Sequence, residues 1–156
     1  MPDFPWSLSI PSKYVVDYYS IAGNSYKGAK ITDLSNNKAV IFEPIGALSN
    51  KSADTHLAQY LKNKAKATTT DASESKDNEW EIVSSVYINV NGKTVLQSSI
   101  SNGLDSTTAY VLGSSKNSQA YLAVSFEGQE AFVRYLLDHV IDKGKLPPNQ
   151  DLILLD

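Results

Sequence analysis

The sequence contains no cysteine. Disulfide bonds, thiolate metal sites and a cysteine nucleophile are thereby excluded, while the compartment stays open, because cysteine-free domains occur in periplasm and cytosol alike. Histidine is nearly as scarce, with only His56 and His139. Both fall on predicted helices beside polar positions and read as surface or helix-end residues with no metal or general-base role. No apolar run approaches the roughly 20 residues that carry a helix across a bilayer; the longest are "AVIF" and "LILL". An excess of basic charge is also missing. Fourteen Lys and Arg stand against 17 Asp and Glu, for a net charge of −3, and the lysines are scattered, so nucleic acid is not an expected partner. The start, "MPDFPWSLSI", has neither the basic nor the apolar region of an export signal. Two origins are compatible with it: a cytoplasmic protein, or a mature domain whose leader has been removed.

Motifs for chemistry are absent in the same way. Serine is abundant, but there is no G-x-S-x-G elbow and no histidine in a recognisable relation to a serine. In "GNSYKGAK", Gly23 and Gly28 have the separation of a phosphate-binding loop, yet Ala29 stands where that loop needs lysine and a strand-like run follows. We read it as a turn. No catalytic, cofactor-binding or metal-ligating residue is assigned, and the chain is not expected to be an enzyme.

What is present is β-rich. Trp6 to Tyr19 reads as extended, broken by Pro11, and "YKGAKITD" and "KAVIFEP" read as short strands separated by an Asn36-Asn37 turn, the second ending at Pro44. Helical periodicity begins at Ser52, an N-cap with Asp54 in the first turn, and carries Leu57, Tyr60, Leu61 and Ala65 on one face. The polar stretch 68–79 reads as a connection. "VYINVNGKTVLQSSI" then turns on Asn91-Gly92, a pair suited to the positive φ of a two-residue hairpin. Counting back from that turn pairs Val90 with Lys93, Ile88 with Val95, Tyr87 with Leu96 and Val83 with Ile100. Alternation of Trp80, Ile82, Val86, Ile88 and Val90 predicts one apolar face. Strands at 107–113 and 120–126 complete a four-strand meander. A last helix over 129–143 presents Phe132, Val133, Leu136, Leu137, Val140 and Ile141, with Gly144 as its stop. The whole is one domain over residues 1–156 of α+β class, an antiparallel sheet with two main helices, and its tail at 145–156 either docks on a sheet edge or stays loose.

"WSLSIPSKY", "SNNKAVIFEP", the amphipathic helix, "VYINVNGKTVLQSSIS" and "TTAYVLGSSKNSQAYLAVSF" with its closing helix together resemble the PsbP-like superfamily over roughly residues 6 to 143, nearest to the DcrB-like bacterial envelope proteins. The resemblance implies an αβα sandwich and a non-enzymatic, protein-binding or accessory role in the periplasm or cell envelope, without cofactor. Its alternative is a cytoplasmic chaperone or adaptor for a secreted protein, as in type VI effector chaperones on the same fold. Lipoprotein relatives carry their lipid on a cysteine; here an anchor requires a leader and cysteine preceding residue 1. The aromatic first quarter supplies the candidate interface with another protein: Trp6, Tyr14, Tyr18, Tyr19 and Tyr26. The bland alternative is that these rings cover the sheet and cap the core.

Overall fold

The computed structural model describes residues 6–11, 13–21, 26–48, 52–68, 79–90, 92–114, 118–138, 140–142 and 152–154. Their elements follow one another as β1 (Trp6–Pro11), β2 (Tyr14–Tyr19), β3 (Gly28–Asp33), β4 (Lys38–Ala47), α1 (Ala53–Thr68), β5 (Glu81–Val90), β6 (Lys93–Ser101), β7 (Ser106–Ser114), β8 (Gln119–Val124), α2 (Glu130–Asp138), β9 (Val140–Asp142) and β10 (Leu152–Leu154). The Gly23-Asn24 turn, most of the polar connection, Asn91, His139, Gly144 and Pro147-Pro148 lie outside the described residues.

Seven strands form one sheet in the order β2-β3-β4-β8-β7-β6-β5, antiparallel at every pairing. The predicted meander is its second half. The first half joins it at β4–β8, so the α1 connection carries the chain from the middle of the sheet to its far edge. Strand alternation gives the sheet two apolar faces. On one, Ile31, Val40, Phe42, Tyr110, Leu112, Tyr121 and Ala123 pack with Phe132, Val133, Leu136 and Leu137 of α2. On the other, Leu96, Ile100, Ala109, Val111, Leu122 and Val124 pack with Leu57 and Leu61 of α1. The strands in the middle are therefore buried on both sides, and their near-continuous apolar runs, such as "AYLAV", follow from that.

Four expectations are corrected. First, Pro44 does not end its strand. β4 continues to Ala47 through a register shift between Pro44 and Gly46, a bulge of the kind that accommodates a proline with no N–H to give. Second, the hairpin register holds from Val90–Lys93 to Tyr87–Leu96, but a bulge at Val83 makes Ile82, not Val83, the partner of Ile100. The extra residue reverses the alternation, so Ile82 packs on the α1 side while Ile88 and Val90 pack on the α2 side. Val86 is exposed because β5 is an edge strand that neither helix covers fully. Third, α2 stops at Asp138. Val140 and Ile141, β-branched residues with good strand propensity, leave the helical stripe and pair with Leu8 and Ser7. Fourth, the strands do not all join the single antiparallel sheet expected. β1 is the centre of a second, three-stranded sheet between β9 and β10, and residues 152–154 of the tail pair with it.

Candidate functional site

Among the five aromatic residues of the first quarter, Tyr14, Tyr18 and Tyr19 do not converge on one surface. Tyr14 is buried, its ring stacked on Phe132 of α2 with centroids 4.4 Å apart and planes 22° from parallel, so it belongs to the core and not to an exposed patch. Tyr18 turns toward the same core and is partly buried against it. Tyr19, one residue on, points to the opposite face, as strand alternation requires. Tyr26 is half-buried on the approach to β3. Trp6 lies in β1 opposite Asp142, in the small sheet.

Tyr19 belongs instead to a polar cluster on the α1 face. Its hydroxyl donates to Glu43 Oε1 at 2.6 Å, crossing from β2 to β4. The ring must pass over β3 to get there, and Gly28 lets it: a Cβ at that position would stand 2.8 Å from Tyr19 Cζ. Gly28, which opens β3 within the strand read as "YKGAKITD", is therefore the floor under a tyrosine. Tyr60 of α1 hydrogen-bonds the same carboxylate. Burial first, and then hydrogen bonding to and repulsion from Glu43, pushes Tyr19 far above the ordinary tyrosine range, and burial followed by Glu43 does the same to Tyr60. Both phenols stay protonated and donate. The arrangement is a hydrogen-bonded tie between β2, β4 and α1, with the carboxylate as acceptor.

His56 is the second residue that sequence reading misplaced. It is 5% exposed, not a surface residue, and its Nε2 donates to the Ala47 carbonyl at 2.9 Å. Its position was legible in one respect: Ala53, His56, Leu57, Tyr60 and Leu61 recur at three- and four-residue spacing, the inward stripe of α1. The β4 bulge receives the ring. Gly46 has φ +147°, and a Cβ there would fall 2.5 Å from His56 Cε1. The expected N-cap is present in altered form. The Ser52 carbonyl accepts from the His56 N–H, but the Ser52 hydroxyl bonds Asp54 and Thr55 side chains, and Asp54 Oδ1 takes the Thr55 N–H.

Beside His56 lies a cavity of about 170 Å³, lined by Leu48, Ala53, Leu96, Val111 and Ala120 and bordered by Thr94 and Tyr87. Leu48 folds over Gly113, where a Cβ would meet its Cδ2 at 2.9 Å. Leu48 and Tyr87 are nonetheless 42% and 58% exposed, so the pocket has an apolar rim open to solvent. Tyr87 also stands on β5, whose Val83 and Val86 are 68% and 53% exposed. A wider groove of about 540 Å³ lies at the start of that strand, between Glu79, Glu81, Val83 and the β6–β7 turn. The sequence pattern places Val86 on the apolar face of β5 and gives Val83 and Tyr87 only as cross-strand partners, and how much of an edge strand the helices cover is not a local property.

The chemistry available at the pocket is contact with an apolar group. Among the described residues no three acidic or histidine side chains gather as a metal site, and no helix is long and apolar enough to cross a membrane. No family model, curated protein or solved structure matches this chain.

Proposed function

We propose that this chain is a non-catalytic protein-binding accessory protein of the bacterial cell envelope, DcrB-like, on a PsbP-like αβα sandwich. Helices on the two faces of an antiparallel sheet support the sandwich reading, and the sequence resemblance supports the envelope. The observation that carries protein binding is the apolar pocket rimmed by Leu48 and Tyr87. Its volume of about 170 Å³ is close to that of an apolar cavity known to admit a benzene ring, so it accepts one aliphatic or aromatic side chain of a partner. Anchors of that kind, seated in a pocket and surrounded by near-neutral contacts, dominate the energetics of protein interfaces.

Thr94 is exposed on β6 and borders the pocket without entering the core, which makes it the position for a test. A photo-crosslinking residue at position 94, used in cells of the native host, is expected to trap a discrete protein, and Thr94→Glu is expected to abolish its co-purification. Retention of the same partners by Thr94→Glu would overturn the assignment of the pocket. Fractionation of the host cells tests the compartment: recovery with the envelope supports the reading, and recovery in the cytoplasm transfers it to a chaperone or adaptor on the same fold.

A further inference from the structure

Beta-sheet edges are templates for further pairing, and proteins guard them with charge, proline, bulges or cover. The outer side of β5 carries no further strand among the described residues. Its only bulge is at Val83, near one end, and from Ser84 to Val90 it has no charge, proline or glycine. Val86 and Tyr87 lie in this segment with more than half their surface exposed.

The hairpin determines which backbone groups face outward. Val90 and Lys93 flank a two-residue turn and form a reciprocal hydrogen-bonded pair, so the pairs Ile88–Val95 and Val86–Gln97 do likewise. Ser85, Tyr87 and Asn89 then direct their N–H and C=O groups away from β6. The Ser85–Ser98 contact agrees: these hydroxyls meet at 2.7 Å, as suits the closer spacing of a non-hydrogen-bonded pair.

We infer that β5 pairs antiparallel with β5 of a second copy of this chain, about a twofold axis at Tyr87. In this register Tyr87 faces its own equivalent, Val86 faces Ile88, and Ser85 faces Asn89, so apolar meets apolar and polar meets polar. All three outward-facing residues find partners, giving on the order of six main-chain hydrogen bonds. The charges favour this orientation: antiparallel pairing sets the Glu81 end of one strand beside the turn end of the other, where Lys93 opens β6 opposite Val90, whereas parallel pairing sets Glu81 beside Glu81. The twofold axis runs perpendicular to the sheet. Both α1 helices therefore lie on one side, and the two Leu48–Tyr87 pockets become neighbours on a continuous surface. The inference is independent of what those pockets bind.

Sedimentation of the full chain is expected to give a species of twice the 17.0 kDa chain mass at tens of micromolar, and Tyr87→Lys is expected to halve that mass while keeping a cooperative thermal transition. A wild-type protein that stays at the single-chain mass over this range overturns the inference, as does a Tyr87→Lys variant that is folded and still double. The register is read separately by cysteine crosslinking, which is clean in a chain with no other cysteine. Tyr87→Cys should form an intermolecular disulfide under mild oxidation, because opposed residues fall within disulfide reach, and Ser85→Cys should crosslink at least tenfold more slowly, since its equivalent lies four positions out of register. Equal or reversed rates exclude this pairing.

Discussion

The two edges of the seven-stranded sheet are built on opposite plans. At the β2 edge, charged Lys13 and Asp17 stand among the outward positions, while Tyr14 and Tyr18 turn inward and Tyr19 reaches across a neighbouring strand to a carboxylate. At the β5 edge no charge interrupts Ile82 to Val90, and Val83, Val86 and Tyr87 remain in solvent. A strand rich in aromatic and β-branched residues is common to both. What separates them is where the large side chains go: β2 commits its rings to the fold, and β5 leaves Tyr87 for contact. In β2 the rings of Tyr14, Tyr18 and Tyr19 are engaged within the fold, and the less conspicuous β5 edge leaves Tyr87 in solvent.

This contrast can be broken experimentally, beginning with the guarded edge. Tyr14→Ala removes a buried ring and its stacking on Phe132, and should destabilise the protein by about 3–5 kcal/mol, as for other large-to-small aromatic truncations. A shift in the urea midpoint measures it. A cost below about 1 kcal/mol would mean that the β2 edge is not fastened as described.

Tyr19→Phe, which leaves the ring over Gly28 but removes the donor to Glu43, should cost about 1.5–3 kcal/mol, the range for hydrogen bonds to charged groups. The same tie predicts alkaline sensitivity. Tyr19 and Tyr60 are raised by burial and then by Glu43, so the unfolded chain loses their protons before the folded one does. Their contribution to stability is fully present below the ordinary tyrosine value near pH 10 and declines as pH rises above it. Thermal midpoints between pH 8 and 11 should therefore fall less steeply for the Tyr19→Phe, Tyr60→Phe double variant than for the wild type.

At the open edge the effects shrink. Gly92 has φ +78° and open space around it, so Gly92→Val meets only the backbone penalty of a left-handed conformation, about 1–2 kcal/mol by thermal unfolding. Val86→Lys should alter stability by less than about 0.5 kcal/mol, since the side chain is exposed on an edge. A large loss of stability for Val86→Lys in an isolated chain would erase the distinction between the edges.

Legibility in the sequence tracked the range of the interaction. The α1 start was readable because Ser52 and Asp54 act within one turn, and the first hairpin pairs were readable because a two-residue turn leaves little choice of register. The Val83 bulge, the passage of β4 through Pro44 and the end of α2 at Asp138 were not. The last two are settled by partners far along the chain, β8 for Pro44 and β1 for Val140 and Ile141, while the Val83 bulge lies at the open end of its hairpin, where the turn no longer dictates the register. For the site the share was smaller. The tyrosines stand out in the composition, but whether a ring is core or surface depends on which face its strand presents and on what covers that face. His56 reads from the sequence as a surface residue although its spacing matches the inward stripe, because polar side chains are mostly exposed.

Taken alone, the order of residues determined the class of this protein: antiparallel strands set by alternation and turn chemistry, two amphipathic helices, and no thiol chemistry. Those are properties of period and of neighbours a few positions apart, written locally. Only the tertiary structure decided that α1 and α2 take opposite faces, that Tyr19, Glu43 and Tyr60 meet, and that β5 rather than β2 keeps a tyrosine ring mostly in solvent. Such choices depend on which distant strands become adjacent, and adjacency across long loops follows from the burial of the whole sheet, which no local stretch encodes.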